Sequence, residues 1–440
     1  MLSSPEVYPL VLAWLQALEV CPHAVALSAL SHLVTALLVG QSLRASALMR
    51  ALLSPLPVPA RQRYKRVARA LERPWLTPGW LTPRLVRATL ALVDPDGWGP
   101  TCGQTHVVLD SVRCGGWEVF TLGVVGHGRV LPVSWAVLPY PWPRGQVTPT
   151  VCGLLRQVDA AWPAGRPVHL VADRGFPSQQ LFRTLRSVGW GWTVRLRAGM
   201  GVTVNGESLL VRDLLGRARI SGWTGWAGAY GRGAKAIPAT LVVGRGLPVW
   251  PLHQRTEGSQ RPRAARQAER QRTRRYRYAS VSETDTWMVL CTTQPTWRAA
   301  VSGYRKRWAT EGSYRDAQSG WDGQHGWDLE PTLTQAGSAI QAEALVGLWA
   351  LGTLLQTYLG RQVVQGPAAV QAVARQWTTT GRLSVWAHGQ MAWREPLLAA
   401  WLADTLHAGA ARLAVAPRTQ PQPPHALTAE GPAPPQPRAA

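Results

Sequence analysis

The sequence predicts an α/β fold. A mixed sheet covered by helices carries a β-rich insertion, between an all-α N-terminal domain and a helical C-terminal segment. Three observations predict it. Runs rich in β-branched and aromatic residues begin only after residue 104. They then alternate with segments of helical period. Before and well after them, apolar residues recur at helical spacing, with Pro and Gly as punctuation.

The composition bounds the function. Of 440 residues, 47 are Lys or Arg and 24 are Asp or Glu, a formal charge of +23. Only Lys65, Lys235 and Lys306 are lysines, so the excess is arginine. Such a balance favours a polyanionic partner. A hydrophobic fraction of 46% excludes a wholly disordered chain. The five cysteines form no C-x-x-C pair, which argues against a zinc ribbon and for a reducing compartment. The N-terminus lacks the basic start of a signal peptide. The apolar stretch Ala24–Gly40 is short for a membrane span, so a soluble, cytoplasmic protein with no membrane partner is expected.

Residues 1–95 read as a helical, DNA-binding domain. Within it Ala60–Arg73 is a basic amphipathic helix. Tyr64, Val67, Ala68 and Leu71 share one face, with Arg61, Arg63, Lys65, Arg66 and Arg69 around it. Little acid balances these cations, and they suit phosphate and guanine. A turn is expected at Asp94-Pro95-Asp96-Gly97. Residues 104–197 then give a three-strand meander: His106–Leu109 running into Asp110, Trp117–Val125, and Arg129–Val137 after the Gly126-His127-Gly128 turn. A helix (Val147–Ala161), a strand (Val168–Ala172) ending at Asp173, a helix (Ser178–Val188) and a strand (Gly191–Leu196) follow. This β-β-β-α-β-α-β order is that of ribonuclease H-like folds. Residues 198–286 form the insertion, with a hairpin at Asn205-Gly206, several tryptophans and an arginine-dense run from Arg255 to Arg277. The core resumes over 287–330 with the strand Trp287–Cys291 and one long helix, Thr296–Gly320. Residues 331–410 are helical, and 411–440 form a Pro-rich tail expected to be disordered.

Three acids stand out by position. Asp110 and Asp173 each follow a buried apolar strand, where ligands of α/β sheets collect. Two carboxylates brought together repel unless a cation neutralises them, and Mg²⁺ prefers oxygen donors. On a continuous helix, Tyr304, Arg307, Glu311 and Gln318 fall within an arc of roughly 60°. Taken singly, each aspartate could instead cap its turn, and the helix could carry a simple Arg307–Glu311 surface pair.

The string Tyr304-Arg305-Lys306-Arg307-Trp308-Ala309-Thr310-Glu311 closely resembles the signature helix, Y-x2-R-x3-E-x6-K, of insertion-sequence DDE transposases of the IS-four family. Val108-Leu109-Asp110-Ser111 and Ala172-Asp173-Arg174-Gly175-Phe176 resemble its first and second aspartate motifs. The order matches, with the insertion between the second aspartate and the glutamate, and the likeness covers roughly residues 40–350. One position departs from the pattern: Gln318 stands where the family has lysine, and Arg315 could supply the cation.

The resemblance implies that Asp110, Asp173 and Glu311 are catalytic and hold two Mg²⁺ or Mn²⁺ ions. It implies DNA cleavage at the element ends and transfer of the freed 3′-OH into target DNA. Tyr304, Arg307, Arg315, Gln318 and Arg174, with Lys65 and Arg66 of the N-terminal helix, would contact double-stranded DNA in the terminal repeats or target. A homodimer on DNA is expected. Trp223, Trp226, Trp250 and Trp308 are candidates to hold a flipped base. Two alternatives remain open: a nuclease of the same fold that does not join ends, and a catalytically inactive DNA-binding protein.

Overall fold

The structure is a computed structural model that describes residues 4–52, 58–92, 103–217, 223–245, 287–318, 326–377 and 384–416. The turn expected at residues 94–97, the arginine run 255–277, Trp250, the side chain of Trp223 and the tail from Pro417 lie outside the described residues. Residues 411–415, expected in the disordered tail, instead end the helix Ala399–Val415.

The N-terminal region is helical as expected: α1 (Ser4–Ala17), α2 (Ala24–Gly40), α3 (Ala45–Ala51), α4 (Ala60–Leu71) and α5 (Pro78–Leu92). The apolar α2 is a core helix, with Leu30, Leu33, Val34 and Leu37 buried. In α4, Val67 and Leu71 pack inward while Tyr64 stays exposed, so the helix seats through its C-terminal half only. Arg61, Lys65, Arg66 and Arg69 face solvent.

The sheet begins with β1 (Thr105–Cys114), β2 (Trp117–Gly126) and β3 (Arg129–Pro139), then α6 (Val147–Ala160), β4 (Val168–Ala172), α7 (Gln179–Ser187) and β5 (Gly191–Arg195). The turn between β2 and β3 places His127 and Gly128 at φ 50° and 73°, the left-handed pair of a two-residue hairpin. β1, β2 and β3 are antiparallel neighbours, whereas β1, β4 and β5 run parallel. Next come β6 (Gly201–Val204), β7 (Glu207–Leu210), α8 (Val211–Arg217), β8 (Trp223–Tyr230), β9 (Ile237–Arg245) and β10 (Trp287–Thr292). The hairpin at Asn205-Gly206 forms, with φ of 51° and 82°.

The insertion does not stand apart from the core sheet. β9 pairs with β10, and β10 pairs with β5, so a single ten-stranded sheet runs β3-β2-β1-β4-β5-β10-β9-β8-β6-β7. The chain continues through α9 (Trp297–Arg305), α10 (Trp308–Gln318), α11 (Leu329–Thr334), α12 (Ala339–Gln365), α13 (Ala368–Arg375), α14 (Val385–Ala392) and α15 (Ala399–Val415).

Two expectations are corrected. The strand His106–Leu109 does not end at Asp110. β1 extends to Cys114, because β2 continues to pair with it after β4 has stopped. The single helix expected over Thr296–Gly320 is two, broken at Lys306–Arg307. There the backbone closes i→i+3 bonds, Arg307 N–H to Tyr304 O and Thr310 N–H to Arg307 O.

One face of the sheet joins the main apolar core, which includes Trp14, Leu109, Leu170, Trp135 and Leu351. The long helix α12 lies in that core; the indole N–H of Trp135 on β3 donates to the Glu343 carbonyl at 3.0 Å. α12 is the one described helix long and apolar enough to cross a membrane, and 78% of its apolar window is buried inside the protein. The opposite face carries a smaller apolar cluster of Val108, Val130, Val171, Leu290, Ala300 and Tyr304.

α12 and α14 cross at glycines. A Cβ at Gly360 would lie 1.6 Å from the Val385 carbonyl oxygen, and one at Gly389 would lie 1.9 Å from that of Gln356. Gly360→Ala must therefore push two packed helices apart. We expect it to lower the unfolding free energy by about 2 kcal/mol or more, read from urea melts of purified protein.

Candidate active site

Strand periodicity assembles the site. Side chains alternate faces along a strand, so His106, Val108 and Asp110 share one face of β1, and His169, Val171 and Asp173 share that face of the neighbouring chain. The parallel register pairs His106 with His169, Val108 with Val171 and Leu109 with Ala172. One further step brings Asp110 level with Asp173, where β4 ends and β1 runs on. α9 lies over this face, with Ala300, Val301 and Tyr304 packed on Val108 and Val171.

Each end of the ladder meets the α9–α10 junction. The Tyr304 ring is buried, and its hydroxyl donates to Asp173 Oδ1 at 3.0 Å. Lys306 Nζ lies 3.0 Å from His106 Nδ1. Arg307 donates from one terminal nitrogen to Asp110 Oδ2 at 3.3 Å and from the other to Glu311 Oε1 at 3.2 Å. Thus two of the acids share one guanidinium, which also acts electrostatically on Asp173. Arg195, from β5, reaches to 3.9 Å of Asp173 Oδ1.

Electrostatics follow from this crowding. Burial, reinforced by Asp173 and Glu311, pushes the Asp110 carboxyl up to about 6, although Arg307 and the Ser111 N–H pull the other way. Burial also works upward on Asp173. There Arg307, the Arg174 N–H, the Tyr304 hydroxyl and Arg195 outweigh it, and the carboxyl sits below the usual range. Burial, with Asp173 beside it, raises the Tyr304 hydroxyl, which stays protonated as the donor. At the far end, burial lowers His106 to about 4 and His169 to about 3, and both are neutral at physiological pH.

The glutamate helix is fastened to the β2–β3 hairpin. Ser313 Oγ accepts the Val130 N–H at 2.7 Å. Asp316 is buried and accepts the Arg129 Nε–H. The Tyr314 hydroxyl lies 2.7 Å from Thr121 Oγ1, on the β2 residue paired with Asp110.

The other candidate residues fall elsewhere. Tyr304, a candidate phosphate contact, has its ring in the smaller core cluster and its hydroxyl donated to Asp173. Arg307 is likewise turned to the carboxylates. Arg315 is exposed on α10, and Gln318 is half-buried at its last residue. Arg174 is exposed, its carbonyl accepting the Arg197 Nε–H at 2.6 Å. Lys65 and Arg66 lie on the exposed side of α4, and no described contact joins them to the carboxylates. Trp226 packs against the core, and Trp308 is partly exposed where α10 begins. Sequence reasoning missed Arg195, Lys306, Arg129 and Asp316. Arg195 carried a signal, an arginine within a buried strand.

Residues 145–325 match the family model described as Transposase DDE domain. The match contains Asp173, Arg174, Tyr304, Arg307, Glu311, Arg315 and Gln318; Asp110, Lys65 and Arg66 precede it. The match supports an enzyme acting on DNA and implies a ribonuclease H-like fold. No curated protein matches the chain. Transposases with this domain generally use divalent metal ions. The donors fit such an ion in kind, being all carboxylate oxygens in a site that needs positive charge. Among the described residues no three His, Cys, Asp or Glu side chains are grouped closely enough to hold one. Arg307 supplies the positive charge there instead.

Two outcomes test this geometry. The folded chain holds the Asp110 proton more tightly than the unfolded chain does. Stability from this group is therefore full below the ordinary carboxylate pKa and is lost as pH rises through about 6. In metal-free buffer, the unfolding free energy of wild type minus that of Asp110→Asn should fall by about 2–3 kcal/mol between pH 4 and 7; a flat difference contradicts the described burial. Asp316→Ala leaves Arg129 facing an empty site and should cost about 3 kcal/mol in a denaturant melt. Arg315→Ala, one residue away but exposed, should stay within about 0.5 kcal/mol.

Proposed function

We propose that this protein is an insertion-sequence transposase that cuts DNA at the ends of its element and joins the freed 3′-OH to target DNA. The observation that supports this reading is that one guanidinium, Arg307, bridges Asp110 and Glu311 and acts electrostatically on Asp173. The three acids come from two parallel strands in register and the helix above them. The strand order β3-β2-β1-β4-β5, antiparallel and then parallel, supports the ribonuclease H-like assignment. The Tyr304, Arg307 and Glu311 spacing supports the IS-four assignment, with Gln318 in the lysine position.

Asp110, Asp173 and Glu311 would hold the Mg²⁺ or Mn²⁺ ions. When bound, such ions lower the pKa of an attacking water and stabilise the leaving oxygen. The chain's own residues do the rest. The Tyr304 hydroxyl and Arg195 fix the orientation of Asp173. Ser313, Tyr314 and Asp316 hold α10 on the hairpin, so that Glu311 stays over the sheet. Exposed Arg174 and Arg315 beside the carboxylates, and Lys65 and Arg66 on α4, offer cations to DNA phosphates. Holding two element ends at once calls for a homodimer on DNA, acting in the cytoplasm.

The test is incubation of purified protein with Mg²⁺, DNA bearing the element's inverted repeats and a target plasmid. Cleaved and joined products are expected. Asp110→Asn, Asp173→Asn and Glu311→Gln should each lower both by more than about 100-fold, since losing even an outer-shell partner of a metal site costs 10–100-fold. DNA retention in a gel-shift assay should persist. Cleavage without joining would make the protein a nuclease of this fold. Products unchanged by all three substitutions would remove the carboxylates from the chemistry, and no product at all would leave a DNA-binding protein.

A further inference from the structure

We propose that Arg307 is an internal competitor of the divalent cation: its guanidinium serves as counter-ion to the three carboxylates while no metal is bound, and metal loading requires it to leave. This rests on the metal-dependent reading above and adds a regulation of that site.

The arrangement that carries the inference is a shared one. A single guanidinium spans Asp110 and Glu311 with its two terminal nitrogens, at 3.3 and 3.2 Å. It is also coupled electrostatically to Asp173. Its side chain is 14% exposed, against 16% for Asp110 and 51% for Glu311. It therefore sits inside the site rather than at its rim. Against the three carboxylates stand two guanidiniums, Arg307 within the site and Arg195 at 3.9 Å from Asp173, so the group is left formally negative and short of positive charge. A divalent cation would meet that shortage better than a monovalent one. It could not share the same oxygens with an adjacent guanidinium, because like charges at contact distance repel strongly in a poorly solvated site.

The hold on Arg307 is electrostatic more than geometric. Its two carboxylate bonds, at 3.3 and 3.2 Å, are longer than the ~2.7–2.9 Å of strong charge-assisted pairs. Its Nε is buried and has no hydrogen-bond partner among the described residues. Glu311, half in solvent, marks the open side toward which the side chain can swing. Arg307 begins the tightened turn between α9 and α10, not the middle of a helix, so its release leaves both helices anchored by Tyr304 and by Ser313 and Asp316. Once displaced, the guanidinium is free for a DNA phosphate. One residue would thus be silenced toward DNA until the site is loaded.

The experiment is calorimetric titration of metal-stripped full-length protein with Mn²⁺, alongside melting temperatures in EDTA. Arg307→Gln should bind Mn²⁺ about fivefold or more tighter than wild type, and should melt lower than wild type in EDTA, with Mn²⁺ closing the gap. Arg307→Lys keeps the charge but cannot bridge two carboxylates. It covers the case in which the glutamine variant does not fold, and should also bind Mn²⁺ more tightly than wild type. Equal or weaker affinity in the variants, with wild type binding Mn²⁺, overturns the competition and leaves the metal site standing. No Mn²⁺ binding by any of the three proteins overturns both.

Discussion

The parallel pairing of β1 with β4 is the constraint on which the site depends. Register in a sheet is all or nothing, because a slip of one residue turns every side chain to the other face. Here the register is fixed by apolar side chains on both faces. Val107, Leu109, Leu170 and Ala172 enter the main core, while Val108 and Val171 meet α9. The same alternation that buries the valines presents Asp110 and Asp173 together at one end and His106 and His169 together at the other. Burial of hydrocarbon thus holds two like charges side by side, an arrangement the carboxylates would not choose for themselves.

That cost is met locally. Tyr304 and Arg307 both belong to the end of α9 and the tight turn after it, and both point down at the aspartates. Lys306 between them reaches the histidine end of the same ladder. The break in the helix lets three near-consecutive residues address one sheet face, which a regular helix, turning ~100° per residue, does not allow. The fastening of α10 through Ser313 and Asp316 then determines where Glu311 stands. The acidic site is a product of how the α9–α10 junction is pinned as much as of the acids themselves.

Much of this was legible in the sequence, for local reasons. The turns at His127-Gly128 and Asn205-Gly206 announce themselves by residue type. Ser178 and Thr296 mark helix starts and do cap them. The two aspartates follow apolar runs of strand period, and the resemblance to a transposase signature points to Glu311. What was not legible depends on partners distant in the chain. The extension of β1 past Asp110 comes from β2 alone. The break at Lys306–Arg307 coincides with side-chain bonds to His106 and Asp110. No periodicity argument distinguishes a tyrosine that faces DNA from one whose ring fills a core and whose hydroxyl serves a carboxylate. Arg129 and Asp316 look like ordinary surface charges until the hairpin and α10 are brought together.

The continuity of the sheet through β10 and β9 has a further meaning for how this chain could be shortened or diversified. Excising the segment between β5 and β10 would not remove a detachable module. It would strip β10 of its neighbour and lay bare a row of unsatisfied amide and carbonyl groups beside Val289 and Leu290. Such a margin is a template for aggregation between molecules. β8 and β9 thus act as a protective hem for β10.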